Sequence, residues 1–221
     1  MPSQGRLFVF EGADNVGKTS LSQSAAEYLR GTGLDCELFA FPGQAPGTLG
    51  KHVYSLHHAL IDGIASITPT SLQLLHIAAH IDAIESRILP ALQNGRSVVL
   101  DRFWWSTLVY GRVGGAKEAL LQKMIELERL SWTTRFPAAV FLIQRSSPIG
   151  SDATGDWKAA SAEYTKLAAQ EASSYPVRYV HNDGLFSGAL SQVIGHIKLI
   201  EVLRNGNGST TANEGSHPAS T

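Results

Sequence analysis

With 221 residues the chain is long enough for one well-buried α/β domain and too short for two. Its 18 Lys and Arg against 19 Asp and Glu leave a net charge of −1, which offers no electrostatic footprint for nucleic acid or membrane and points to small-molecule partners. The single cysteine, Cys36, excludes an intrachain disulfide framework and a cysteine metal cluster, and fits a reducing, cytoplasmic setting.

Residues Met1 to Arg6 carry no extended apolar core of a signal peptide and lead into a strand over Leu7–Phe10; no stretch reaches transmembrane length. Directly after that strand comes Gly12-Ala13-Asp14-Asn15-Val16-Gly17-Lys18-Thr19, a complete GxxxxGKT motif that opens a helix over Lys18–Arg30 with Ser20 in its first turn. Glycines let main-chain N–H groups turn inward around phosphate oxygens, and the helix N-terminus adds its positive end. The motif therefore predicts an ATP site in which Lys18 holds the β- and γ-phosphates and Thr19 offers its hydroxyl to Mg²⁺.

A second strand over Cys36–Phe41 and a helix over Thr48–Asp62 follow. Within Thr70–Gln93 the residues Leu74, Leu75, Ala78, Ile81, Ile84, Ile88 and Leu92 recur at spacings of three and four, predicting one long, packed helix. The strand Ser97–Asp101 ends in a carboxylate, and strand ends are where open parallel sheets bind ligands. There Asp101 can hold a metal-bound water and Arg102 can meet a phosphate; the alternative is a helix cap and a surface charge. Helices over Ala116–Trp132, Trp157–Ala172 and Leu185–Leu203 alternate with strands over Ala139–Ile143 and Val177–Val180. Trp104 and Trp105 belong to a helix after Asp101 that packs on the core. The alternation predicts a parallel sheet covered by helices on both faces. From Asn205 to Thr221 the composition is Gly, Asn, Ser and Thr with nothing large and apolar, so residues 1–204 form the domain and 205–221 a disordered tail.

FEGADNVGKTS from Phe10, FPGQAPGTLG from Phe41, LLHIAAH from Leu74 and PALQNGRSVVLDRFWWSTLVYG from Pro90 together resemble the thymidylate kinases in order and spacing. The resemblance implies the P-loop NTPase fold with a five-stranded parallel sheet, and transfer of the ATP γ-phosphoryl group to a deoxynucleoside monophosphate, dTMP in the family. It implies that Asp14 faces the acceptor, that Phe41-Pro42 lies against the acceptor's sugar across a cis peptide, and that Arg102 grips the acceptor phosphate. Ser106 and Tyr110 fall near the acceptor base. The family also forms homodimers, for which the helices from Thr70 and Ala116 are the candidates here.

The departures concentrate at the acceptor. His76 and His80 stand where the family carries an aromatic residue and, four positions on, an Arg. They share one helical face, and base contact, plain packing or a metal remain open. The P-loop position that can carry a catalytic Arg is Asn15, and the stretch from Gln144 to Lys158 is shorter than the family's lid. Such an Arg is worth about 10³-fold or more in phosphoryl transfer. Arg145, Lys158 and Arg102 are the candidates to replace it, Arg145 foremost. Two alternatives to a monophosphate kinase follow: a kinase for a nucleoside or other small acceptor, and a nucleotide-binding protein with little turnover. His57 and His58 read as a solvated helix end, and Glu11 as either a structural or a catalytic carboxylate.

Overall fold

The computed structural model describes residues 4–58, 66–133 and 135–207, with side chains to residue 202. Five strands, β1 (Leu7–Glu11), β2 (Cys36–Ala40), β3 (Ser97–Asp101), β4 (Ala139–Gln144) and β5 (Val177–His181), form one all-parallel sheet in the order β2-β3-β1-β4-β5. β1, β3 and all but the last residue of β4 are buried, which is why they read as unbroken apolar runs. β1 sits between β3 and β4, with Phe10 opposite both Asp101 and Phe141. The phosphate loop and the Asp101 carboxylate therefore leave the same edge of the sheet side by side.

The helices are α1 (Lys18–Gly31), α2 (Leu49–His57), α3 (Pro69–Ala83), α4 (Leu89–Gln93), α5 (Trp104–Val113), α6 (Glu118–Ser131), α7 (Gly155–Glu171) and α8 (Phe186–Asn207). Thr48, Thr68 and Thr154 cap α2, α3 and α7, each accepting a main-chain N–H three residues on.

The structure corrects two sequence expectations and shows how a third element, the helix expected after Asp101, is capped. The run Thr70–Gln93 is interrupted by a π-helical turn at Ile84–Ile88. The widened turn lies just before Pro90, which has no N–H to give Ser86 and whose ring excludes that carbonyl from α-helical geometry. Next, α5 is a full helix of ten residues, although no residue at its start signals a cap. Its cap comes from β1: the Glu11 carboxylate accepts from Phe103 N (2.7 Å) and Ser106 N (3.0 Å). Finally, α8 runs to Asn207, three residues into the expected tail; residues 208–221 lie outside the described residues, as do 59–65 at the end expected for α2.

One close approach fixes α2. A Cβ on Gly50 would lie 1.7 Å from the Pro42 carbonyl oxygen, so only glycine lets this helix rest on the turn after β2.

Candidate active site

The phosphate loop is shaped by residues that need positive φ: Gly12 at 141°, Asn15 at 58° and Gly17 at 93°. A Cβ on Gly12 would meet the Ile143 carbonyl oxygen at 2.4 Å, so β4 itself forces the glycine. Gly17 precedes α1 without any side-chain cap, leaving the helix N-terminus to an outside anion. Lys18 folds back to give Nζ to the Ala13 carbonyl at 2.6 Å. It is buried, and burial together with the Arg102 charge pulls its pKa down to about 7, against the opposing pull of Asp101, Asp14 and Glu11.

Thr19 Oγ1 donates to Asp101 Oδ2 at 2.7 Å, while Asp101 Oδ1 is buried without a hydrogen-bond partner. A buried, unpartnered carboxylate oxygen beside a hydroxyl is the donor chemistry a hard divalent cation takes, so the pair fits Mg²⁺. Ser20, in the same first turn of α1, is exposed. The loop's outer carbonyls are already used: Asn15 O accepts from Ile149 N (2.7 Å), and Val16 O from Asn182 Nδ2 (2.8 Å).

Arg102, itself at φ 74°, is the hub of the other side. It is ion-paired with Asp14, donates to Ser106 Oγ at 3.2 Å, and lies 5.7 Å from the ring centre of Tyr110. Burial alone would raise the Asp14 pKa, but the Arg102 and Lys18 charges outweigh it and hold the carboxyl below its usual value. Ser106 also donates to Glu11 Oε2 at 2.8 Å and lies 2.8 Å from Tyr164 OH. Burial pushes the Glu11 pKa up to about 7, against the Arg102 charge, the Ser106 hydrogen bond and Lys18.

A cavity of about 900 Å³ joins these parts. Asp14, Asn15, Thr19, Asp101 and Arg102 form one side, the Phe41–Pro42 turn, α2 and α3 another, and residues between Pro148 and Trp157 the rim. The Phe41–Pro42 peptide is cis. Arg102 is the one Lys or Arg lining it among the described residues, against Asp14, Asp101, Asp152 and Asp156.

A family model described as thymidylate kinase matches residues 10–152, from the end of β1 to the segment after β4. The chain belongs to the thymidylate kinase family. Among its relatives is a thymidylate kinase of Dinoroseobacter shibae, 39% identical over 129 residues, which are 58% of this chain and 60% of that protein. A thymidylate kinase of Bartonella quintana is 33% identical over 149 residues, 67% of this chain and 66% of that protein. These matches thus span only about 60 to 66% of the relatives' length. The solved thymidylate kinase structure from Ehrlichia chaffeensis superposes with a TM-score of 0.68 over 90% of this chain and 99% of that one, at 22% identity, which shows the fold.

Against this thymidylate kinase frame, the cavity gathers Asp14, Asn15, Thr19, Phe41, Pro42, Asp101, Arg102, Ser106 and Tyr110. Arg145 is not among its lining residues: its guanidinium is bonded to the carbonyls of Asn182 and Ser147, below the phosphate loop's outer face. The two helical histidines separate in role. His80 is 1% exposed, gives or takes a proton with Glu128 Oε2 at 2.8 Å, and stacks on Phe41 at 4.0 Å between ring centres. It holds the Phe41 turn. His76 instead pairs with His57, whose Nδ1 lies 3.0 Å from His76 Nε2. His57 lies on α2 and His76 on α3, so no spacing along the chain could pair them. Among the described residues no group of three or more His, Cys, Asp or Glu is placed to hold a metal. Trp157 was also missed as a site residue; its Nε1 donates to the Asp14 carbonyl at 2.8 Å, a link between α7 and the phosphate loop that has no sequence signal.

Proposed function

We propose that this chain is an ATP-dependent nucleoside monophosphate kinase that transfers the γ-phosphoryl group to a deoxynucleoside monophosphate, dTMP first among them. The observation that carries it is the juxtaposition, in one cavity, of the glycine-shaped loop, the Thr19–Asp101 pair and the Arg102–Asp14 pair. In this reading Gly12 to Ser20 cradle ATP, and Lys18 leaves the Ala13 carbonyl for the β- and γ-phosphates. Thr19 and Asp101 hold Mg²⁺, which when bound supplies positive charge to the phosphate oxygens. Arg102 exchanges part of its pairing with Asp14 for the acceptor phosphate, and Asp14 turns to the acceptor sugar. Phe41 and Pro42 back that sugar, and Ser106 and Tyr110 hold Arg102 in place. Arg145 and Lys158 would have to leave their present positions to reach the transferred group, so Lys18 and Arg102 carry the transition-state charge.

The domain in this proposal runs to the end of α8 at Asn207 and works on small nucleotides in the cytoplasm, in keeping with the buried free thiol of Cys36. No described helix is long and apolar enough to cross a membrane. We further assign homodimer formation to the α3–α6 face, where Leu74, Leu120, Leu127 and Leu130 are exposed.

One observation favours a second reading. A cavity lined by four aspartates and one arginine suits an acceptor of low charge, a nucleoside, better than a dianion. A coupled ADP-release assay across nucleoside monophosphates and nucleosides, with a no-acceptor control, decides between them. Turnover with dTMP is expected; turnover with thymidine alone, or none above the control, overturns the first reading.

A further inference from the structure

Arg102 meets its two side-chain partners through different nitrogens. Nη2 is ion-paired with Asp14, whose side chain is half exposed at the cavity, while Nη1 donates to Ser106 Oγ at 3.2 Å. Behind Ser106 lies Glu11, 0% exposed. Its Oε1 accepts from the main-chain N–H groups of Phe103 (2.7 Å) and Ser106 (3.0 Å), and its Oε2 from the Ser106 hydroxyl (2.8 Å). The first oxygen grips the backbone directly after Arg102, whose φ of 74° lies in the left-handed region. The second reaches the Arg102 side chain through a single hydroxyl.

A hydroxyl has one proton to give and two lone pairs to offer, and Ser106 uses all three. A guanidinium can only donate, so Arg102 occupies one lone pair. With Glu11 ionised, the Ser106 proton goes to Oε2, and Tyr164 OH, 2.8 Å away on α7, donates to the second lone pair. Every proton in the chain then has an acceptor. A donor in place of Oε2 breaks that order, because three donors would face two lone pairs. Either Arg102 is released, or Tyr164 turns about and strands its own proton in the core, where it is 1% exposed. Burial raises the Glu11 pKa to about 7 against the pull of Arg102, the Ser106 hydrogen bond and Lys18, so above that value the carboxylate prevails.

We propose that Glu11 is a positioning residue for phosphoryl transfer: acting through Ser106, it keeps Arg102 Nη1 fixed while Nη2 passes from Asp14 to the phosphate of the acceptor. The inference rests on the monophosphate kinase reading of the same cavity. An arginine tied to Asp14 alone would give up its ordered contact in order to take the phosphate. Because the Ser106 tie survives the exchange, the guanidinium is already aimed when the acceptor arrives, which lowers the cost of ordering it. Glu11 thereby does more than cap α5, and it does so without touching the nucleotide.

The test compares wild type, Glu11→Gln, Ser106→Ala and the double variant on ATP and dTMP at about pH 8, where Glu11 is ionised. Glu11→Gln keeps the acceptor for Phe103 N and Ser106 N and turns an amide donor toward Ser106 Oγ. Each single change is expected to raise the KM for dTMP about tenfold, since Arg102 is present but no longer aimed, and to leave ATP affinity within about twofold. The double variant is expected to stay within about twofold of the poorer single one, because both changes cut the same tie. In ¹H–¹⁵N spectra of the dTMP complexes, Nη1 and Nη2 of Arg102 are expected to give separate signals in wild type that broaden together in both variants. Single effects that multiply to about a hundredfold, or separate Arg102 signals that persist in Ser106→Ala, would overturn the proposal and leave Glu11 a helix cap. So would a KM for dTMP within about twofold of wild type in Ser106→Ala, a result that stands even if Glu11→Gln does not fold. Wild type that phosphorylates no monophosphate overturns the kinase reading and the proposal with it, a result distinct from a working kinase indifferent to both changes.

Discussion

The indole N–H of Trp157 donates to the main-chain oxygen of Asp14 at 2.8 Å, while the Asp14 side chain holds Arg102. One residue thus ties the start of α7 to the phosphate loop and the loop to the cation of the acceptor side. Trp157→Phe keeps the ring and removes the donor, an expected loss of about 1 kcal/mol, or roughly fivefold in ATP affinity. Trp104, Trp105 and Trp132 are almost fully buried, so the fluorescence response to nucleotide should also vanish in the variant. A fluorescence titration checks both; an unchanged response places the reporter elsewhere.

Arg102→Ala should separate donor from acceptor. Arg102 is the one Lys or Arg lining the cavity among the described residues, and Lys18 with the loop amides remains to hold ATP. A charge-assisted contact is worth about 2 kcal/mol, so the acceptor KM is expected to rise by about 30-fold. ATP affinity by calorimetry should stay nearly constant; a fall in ATP affinity equal to the rise in KM would show that Arg102 serves the donor.

Glu11 should give stability a pH dependence. Its folded pKa, raised by burial to about 7 from 4.5, means that the folded state binds the extra proton between those values. Its contribution is complete below about pH 4.5 and is lost as pH rises through about 7. Glu11→Gln keeps an acceptor for Phe103 N and Ser106 N and cannot ionise. Melts of the variant at about pH 4.5 and about pH 7, the ends of that window, should differ less than those of wild type. An equal slope in both proteins would assign it to another group.

The His80–Glu128 pair, at 1% and 0% exposure, should be structural. Glu128→Ala strands a buried imidazole under Phe41 and is expected to cost about 3 kcal/mol, read in a urea melt. Glu128→Gln, which retains a hydrogen-bond acceptor, should cost less. A neutral outcome for Glu128→Ala would mean that His80 holds nothing in place.

The sheet was legible because parallel strands buried on both faces must be apolar along their whole length, and β1, β3 and β4 leave no other reading. The phosphate loop was legible because its geometry needs glycine at Gly12 and Gly17, and the structure brings the rest of that loop to Asp101 as its spacing implied. What escaped lay in contacts between elements. The cap of α5 is a carboxylate 92 residues away on β1. The partner of His76 lies on another helix, and the partner of Trp157 is a carbonyl, which leaves no trace in any residue's identity. Arg145 was singled out by charge, but a main-chain carbonyl attracts a guanidinium as readily as a phosphate does when nothing else is near.

Gly50 rests on the Pro42 carbonyl, where even one carbon would have to fit within 1.7 Å of oxygen. His57 stands seven residues farther along the same rigid helix, about 10 Å away along its axis. The turn acts as a fulcrum and α2 as its arm: Gly50→Ala would tilt the arm and carry His57 off His76, with every residue that touches a nucleotide unaltered. The placing of one wall of this cavity is thus set, at one remove, by a position that has no side chain at all.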